Sequence, residues 1–585
     1  MPFLYGAVVL PGGDAVGKMV LTDDSSVIRP YPGVAVSCGV DDEYIFTAVS
    51  GDLETTVPVG IKTPSTHEIL AGIYRNGGIN GLKNADGAFT GVICDKSIGR
   101  FLLIRDVPGS RMLFYTICGN VLFFAENLSL LLEISGSPGQ IDINAVSDYL
   151  SLGVVPGDKS IYSNIKKVPS AGAVVCDSNG VSVIRYREFP TEINEKISLG
   201  EAAGVIRRKV FDSVQKKLNS GDAAGLLLSG GLDSAVVGAV CNRLTESSIN
   251  IFTAGFREKD YDESETAFKT ASFFTGGRIK ARHHLINITP EILDEVPRFM
   301  RMCDEPFGNA SLLATAALTE AAGRECSSVF TGDGADELFG GYERYLALRY
   351  AVMFKKLPHW MTAAVRLCPP GRERGFCGRL RRFFAGLDDT EMRIYFNWLD
   401  RAEPEIKKHL LGREILPETF SRFEKFLPDL KCRTWHEAAC RLDWYTYLPD
   451  DSLAKSRYSY QISNVSMFSP FVNAWMMDYA ARLPWKHKQR FGSRKRVLST
   501  AFADILPPGL AKMKKRGFGV PIADWLMQPG TAARFREEFR QGALADSGIV
   551  DMDFAAVLLD DHIKHKNDNS YILYNLFALS CFLGR

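Results

Sequence analysis

Between residues 225 and 331 the chain alternates short apolar runs with helix-like stretches, and the first run opens into a glycine loop. Residues 226 to 234 read Leu-Leu-Leu-Ser-Gly-Gly-Leu-Asp-Ser. The pattern predicts strand 225–228, a helix from 233, strand 251–254, helix 262–274, strand 283–288, helix 291–302 and strand 328–331. Such alternation narrows the fold to a parallel sheet covered by helices, with ligands at the carboxyl ends of its strands. Gly230 and Gly231 let backbone N–H groups approach an anion, and the following helix adds the partial positive charge of its N-terminus. Ser229 and Ser234 can donate hydroxyls, and Asp233 offers a carboxylate to Mg²⁺ beside the anion. A Walker-type loop is excluded, because it needs Gly-Lys-Ser/Thr after a longer loop.

A second anchor follows about a hundred residues later, where Val329-Phe330-Thr331 runs into Gly332-Asp333-Gly334-Ala335-Asp336-Glu337. Asp336 would sit at a strand's carboxyl end and could share one Mg²⁺ with Asp233, since two carboxylates with phosphate oxygens suit that ion. Taken alone, Asp336 and Glu337 are equally suited to capping a helix.

At 585 residues the chain is too long for one ordinary core. Residues 1 to 190 read as β-rich, with apolar runs at 5–10, 91–94, 101–104 and 121–125 and short helices at 65–74 and 142–151. Ser198-x-x-Glu201 is a capping-box signature for a helix that opens the second part. Residues 336 to 585 read mostly helical. A formal net charge of +1 gives no electrostatic reason to expect nucleic acid or an anionic membrane as a partner. The twelve cysteines form no CxxC pair, which argues for a reducing compartment and against a zinc or disulfide framework. No apolar run reaches about 18 residues and no export signal opens the chain, so a cytoplasmic protein is expected. The basic cluster from Arg372 to Arg382 reads as a solvated helical face in preference to a docking patch.

Further blocks stand in a recognisable order: Phe252-Thr-Ala-Gly-Phe256, Tyr261-Asp-Glu-Ser264, Asp304-Glu-Pro-Phe307, Leu448-Pro-Asp-Asp451 and Lys515-Arg-Gly-Phe-Gly-Val-Pro521. With the two glycine motifs, they make the chain resemble the asparagine synthetase family over nearly its full length. The resemblance implies an α+β domain like the N-terminal-nucleophile hydrolases at 1–190, of glutamine-amidotransferase type. An α/β parallel-sheet synthetase domain of ATP-pyrophosphatase type with a helical C-terminal part would fill 191–585. It implies ATP and Mg²⁺, with Leu226, Leu228, Ala254 and Gly332 lining the AMP site. Ser229, Gly230, Gly231, Asp233 and Ser234 would hold pyrophosphate, and Asp233 and Asp336 the metal. Lys495 corresponds to a lysine near the phosphates, and Lys515 to one that stabilises charge during amide formation.

That chemistry has clear requirements. A carboxylate is a poor acyl donor, so its oxygen attacks the α-phosphorus of ATP and gives an acyl-adenylate. The departing pyrophosphate needs Mg²⁺, loop amides and lysines to neutralise it. A neutral amine then attacks the acyl carbon, and a fixed cation such as Lys515 steadies the tetrahedral oxyanion.

The chain also departs from the family. Glutamine-dependent members expose a first-residue Cys whose thiolate attacks glutamine; this chain begins Met1-Pro2-Phe3, and the nearest cysteine is Cys38. Val49-Ser50-Gly51-Asp52 is a poor version of the glutamine-binding stretch, while Asp86-Gly-Ala-Phe-Thr90 and Arg105-Asp106-Val-Pro-Gly109 keep the scaffold. The N-terminal part therefore reads as inactive toward glutamine. That favours an amine carried by the substrate, as in β-lactam synthetases and lasso-peptide macrolactam cyclases. Asp333 stands where β-lactam synthetases carry a catalytic Tyr, which places a peptide cyclase, or another amide ligase with a free amine acceptor, ahead; a cyclase would be served by a precursor peptide and its processing protease. The family's Lys-x-Asp-Arg is here Lys455-Ser-Arg-Tyr458, and Ser466 and Phe468 replace its later Glu and Arg. These changes fit a larger, less polar acceptor, impaired chemistry, or core packing of Tyr458, Tyr460 and Phe468. Two further readings stay open: an ammonia-using asparagine synthetase, and a non-catalytic member that binds a partner.

Overall fold

Apolar runs in the first 185 residues fold into two antiparallel sheets in which most strands bury one or both faces, the edge strand at 180–185 staying largely exposed. The computed structural model describes residues 4–9, 45–54, 65–245, 249–275, 282–354, 383–384, 390–413, 419–490, 492–512 and 518–585. Pro2, Cys38, the basic residues 372–382 and Lys514, Lys515 and Arg516 lie outside the described residues. The strands are β1 (Tyr5–Val9), β2 (Ile45–Glu54), β3 (Asp86–Asp95), β4 (Arg100–Arg105), β5 (Phe114–Cys118), β6 (Val121–Ala125), β7 (Lys166–Lys167), β8 (Gly172–Asp177) and β9 (Gly180–Arg185). One sheet is ordered β1-β6-β5-β7 and the other β2-β3-β4-β8-β9.

The period-2 rule assigns the faces. Val92, Phe101, Leu103 and Val174 point to one side of the five-stranded sheet and pack with Leu122 and Phe124 of the other sheet. Phe89, Ile93, Leu102, Ile104 and Ala173 point the opposite way and join the large core that continues into the second half of the chain. Burial on both faces explains why β4 reads as an unbroken apolar run. Two acidic residues of the retained scaffold are structural. Asp86 accepts hydrogen bonds from the Ala474 and Trp475 N–H groups at a helix start, at 2.9 and 3.3 Å. Asp106 accepts from the Phe89, Ser110 and Arg111 N–H groups.

The helix announced by Ser198 runs from Leu199 to Leu218, and both halves of its capping box form with Glu201. Beyond it lies the parallel sheet: β10 (Ala224–Leu227), β11 (Ile251–Gly255), β12 (His283–Asn287), β13 (Ser328–Phe330) and β14 (Ser466–Phe468), in the order β12-β11-β10-β13-β14. The expected helix at 291–302 divides into a 3-10 turn, Pro290–Glu295, and a helix, Val296–Met302. Pro297 lacks an N–H and would clash with the carbonyl four residues earlier, so the helix restarts beside it. The strand β14 was not expected; it arrives from more than a hundred residues away and pairs Phe330 with Phe468. Among the described residues the rest of the C-terminal part is largely helical, ending in the deeply buried helix Ser570–Leu583. No helix among them is long and apolar enough to cross a membrane.

A buried ion pair joins the two halves: Lys167 Nζ lies 2.7 Å from Glu305 Oε2, with side chains 1% and 5% exposed. Lys167→Met leaves the carboxylate buried without its partner and is expected to cost about 3–5 kcal/mol, whereas adding Glu305→Leu recovers most of it. Urea denaturation of the single and double variants checks this; a single variant as stable as the parent refutes it.

Candidate active site

The chain leaves β10 for β11 on one side and returns to β13 on the other, so a crevice opens beyond the carboxyl ends of β10 and β13. Both glycine motifs exit into that crevice. Gly231 caps the helix Leu232–Leu244, which puts Asp233 in the first turn. The loop is held by its own hydroxyls: Ser234 Oγ accepts from the Ser229 N–H at 3.1 Å and lies 3.0 Å from Ser229 Oγ, and the Gly231 N–H donates to Ser229 Oγ at 3.2 Å. The two serines thus preset the loop's shape, a role the sequence did not indicate. A side chain at Gly230 would press on Glu263 and Thr266, so this glycine serves the packing of the helix Ser264–Thr275.

The second loop is laid directly on the first. A Cβ at Gly332 would sit 2.6 Å from Asp233 Cβ and 2.8 Å from the Ser234 nitrogen. Gly332→Ala is expected to cost about 1–3 kcal/mol of stability by overpacking, and to weaken binding of any anion held between the loops because it separates them; denaturation and titration with the ATP expected from the sequence read the two effects.

Asp233 and Asp336 meet across this contact through one lysine. Lys495 Nζ lies 2.5 Å from Asp233 Oδ2 and 2.7 Å from Asp336 Oδ1, and Lys495 is only 5% exposed. Burial works against the ammonium charge, but Asp233 and then Asp336 outweigh it and hold Lys495 above its ordinary pKa. Lys495 adopts a left-handed backbone with φ of 49°, a conformation that costs a non-glycine residue on the order of 1–3 kcal/mol and gathers at functional sites. Gly341 makes room: a side chain there would collide with both the Asp336 carboxylate and the Lys495 stem. The helix Ala335–Phe339 has no side-chain cap, so Asp336 is committed to Lys495 and not to capping. Its neighbour Glu337 is buried and takes hydrogen bonds from the Tyr342 hydroxyl at 2.8 Å and the Ser452 hydroxyl at 2.7 Å. Burial, then the Asp336 charge, pushes Glu337 above the usual carboxylate range.

The structure thus brings Ser229, Gly230, Gly231, Asp233, Ser234, Gly332, Asp336 and Lys495 to one crevice. Leu228 and Ala254 are buried at adjoining strand ends, where the Thr253 hydroxyl donates to the Leu228 carbonyl. Leu226 faces the other way, against Gly238 of the covering helix. Lys515 lies outside the described residues.

A second cluster was not assigned from sequence. Asp333 Oδ2 accepts from the Thr331 hydroxyl at 3.1 Å and the Ser456 hydroxyl at 3.0 Å, and Asp333 Oδ1 lies 3.7 Å from Lys455 Nζ. Side chains of Asp333 and Lys455 are 21% and 15% exposed, enough to meet a ligand at the crevice. The available signal was an aspartate flanked by two glycines at a strand exit, with Lys455 four residues beyond Leu448-Pro-Asp-Asp451. Of the aromatic departures, Tyr458 is buried and packs edge-on to Phe307, and Phe468 meets Phe330 edge-on at 5.7 Å.

A hard cation suits the Asp233–Asp336 pair, since the two carboxylates already converge on one ammonium at contact distance. No group of three or more His, Cys, Asp or Glu side chains gathers among the described residues, so a metal here would need oxygens from its ligand.

Comparison with known proteins gives two matches along the chain. Residues 205–583 match the family model for asparagine synthase, and residues 44–187 the model for a glutamine amidotransferase domain. A Bacillus subtilis protein named asparagine synthetase [glutamine-hydrolyzing] 1 is 24% identical over 87% of this chain and 79% of its own length. Another from the same organism, asparagine synthetase [glutamine-hydrolyzing] 3, is 23% identical over 77% of this chain and 70% of its own. The Gibberella zeae protein named amidase chry2 is 22% identical over 78% and 73%.

Proposed function

Because this chain belongs to the asparagine synthase family, a family of ATP-dependent carbon–nitrogen ligases, we propose that it activates a carboxylate as its adenylate and couples it to an amine on the same substrate. The observation that carries this reading is the Asp233–Lys495–Asp336 bridge at the switch point of the parallel sheet. In this reading residues 191–585 form the synthetase unit and residues 1–190 a unit of N-terminal-nucleophile-hydrolase type without glutaminase chemistry.

The loop Ser229–Ser234 receives the β- and γ-phosphates, and the helix N-terminus at Gly231 steadies their charge. Lys495 supplies a fixed positive charge near the leaving pyrophosphate. Bound at Asp233 and Asp336, Mg²⁺ would neutralise phosphate oxygens and align them for displacement. Asp333 accepts the proton that the incoming ammonium must lose before it can attack, and Ser456 and Lys455 keep its carboxylate aimed. Lys515 is assigned to the oxyanion by family resemblance alone.

Support for a substrate-borne amine comes from the N-terminal sheets. The buried Glu126 carboxylate is committed to the Leu4 N–H, the Thr90 hydroxyl and Arg111, whose guanidinium also reaches Ser50 Oγ. This network holds Leu4, just before β1, and Ser50 of β2, close to where glutamine chemistry would have to operate. Among such acceptors a lasso-type macrolactam cyclisation is the preferred reaction, with a precursor peptide released by a protease as substrate.

Pyrophosphate release is to be measured with aspartate plus ammonia, aspartate plus glutamine, and linear peptides carrying an acidic side chain and a free N-terminus. Peptide-dependent release with loss of one water from the peptide mass supports the cyclase. Release with aspartate and ammonia alone replaces it with asparagine formation. Silence throughout, unchanged by Asp233→Ala, points to a binding protein.

A further inference from the structure

One of the contacts between the two halves of the chain is an unusual turn. Residues Leu448–Ser452 form a π-helical turn ahead of the helix Leu453–Ser463, and Asp450 and Asp451 within it are each 6% exposed. Asp450 Oδ2 accepts from the Gly157 N–H at 2.6 Å, and Pro449 lies against Gly109 so closely that a Cβ there would stand 2.8 Å from Pro449 Cβ. Both partners belong to the N-terminal half. Arg105 adds to that grip, with its guanidinium spanning the Gly109, Arg111 and Val168 carbonyls.

The next residues of the same turn bond to the second half of the chain, beside the loop that carries Asp333 and Asp336. Asp451 Oδ1 accepts from Asn309 Nδ2 at 2.9 Å, and Ser452 donates to Glu337. One helical turn later Lys455 and Ser456 hold Asp333. A π-turn carries one residue more than an α-helical turn, and such turns persist where their surroundings fix them. Relaxation to α register would rotate the following residues by about 100° about the helix axis, taking Ser452, Lys455 and Ser456 off the carboxylates they hold.

Resting on the ligase reading above, we propose that Asp450 is a positioning residue through which the N-terminal half, idle as a glutaminase, sets Asp333 for the amine-transfer step. Asp450 itself touches no substrate.

The test compares Asp450→Ala, Asp450→Asn and Pro449→Ala in the full chain. Asp450→Asn keeps an oxygen for the Gly157 N–H, whereas Asp450→Ala does not. In Asp450→Ala the kcat for amide formation is expected to fall by up to about 100-fold, the effect of a small misplacement far from the chemistry. The KM for ATP and the exchange of pyrophosphate into ATP should stay within about twofold of the parent, since uniform binding is untouched. Asp450→Asn should recover most of the loss, and Pro449→Ala should show a milder form of it. Hydrogen exchange of residues 453–463, read on the same proteins without substrate, should quicken in Asp450→Ala and return in Asp450→Asn. Equal loss of exchange activity and amide formation, or unchanged hydrogen exchange, overturns the proposal. If the parent enzyme proves inactive with every acceptor, the ligase reading fails, and the hydrogen exchange alone decides the coupling. Should Asp450→Ala not fold, Pro449→Ala and Asp450→Asn carry the comparison.

Discussion

Asp233→Ala is expected to lower pyrophosphate release from ATP by about 1,000-fold or more, because a bound cation is worth several kcal/mol to a transition state that develops charge on phosphate. The fold should survive. Lys495 keeps Asp336 at 2.7 Å, so no buried charge is left alone, and the thermal midpoint should move by only a few degrees. The effect should extend to the exchange of labelled pyrophosphate into ATP, since the role proposed for Asp233 belongs to the first half of the reaction. Loss of Asp233 should also leave Mg²⁺ dependence shallow, with residual activity no longer rising steeply as the metal is added. An Asp233→Ala enzyme within tenfold of the parent would remove the paired carboxylates from the mechanism.

Asp333→Asn should separate the two half-reactions. A general base contributes about 100- to 10,000-fold, and amide formation is expected to fall within that range while pyrophosphate exchange remains near the parent value. Asparagine is nearly isosteric and can still accept from Thr331 and Ser456, so the loss would report proton transfer and not a collapsed loop. Ser456→Ala, which removes one of those hydrogen bonds, should cost far less. Equal loss in both half-reactions would place Asp333 among the nucleotide ligands instead.

The parts of this site that were legible in sequence are those written within one strand–loop–helix unit. Leu226 to Ser234 carries its strand, its turn and its helix start in consecutive residues, and β11, β12 and β13 repeat the pattern with boundaries one or two residues from those observed. Asp336 taken alone could equally cap a helix, and only the first loop linked it to Asp233; in the structure Lys495 joins both. The rest depends on contacts between distant segments. Ser456 is 123 residues from Asp333 in sequence, and the three-residue β14 is too short to announce itself by periodicity. Tyr458 could be read from composition as a substrate platform or as core, and only its packing on Phe307 decides for core. The hydroxyls of Ser229 and Ser234 looked free to donate to an anion, yet neighbouring polar groups within one tight loop satisfied each other first.

In the proposed reaction the crevice at β10 and β13 turns a carboxylate into an acyl-adenylate. Its most direct test is to run the reaction with an acyl donor whose carboxylate carries oxygen-18 and to weigh the nucleotide product. Attack of the carboxylate on the α-phosphorus moves one labelled oxygen into AMP, so AMP is expected to be heavier by one oxygen-18 for each amide bond formed. Label recovered in inorganic phosphate alongside ADP, or amide formed with unlabelled AMP, would contradict it.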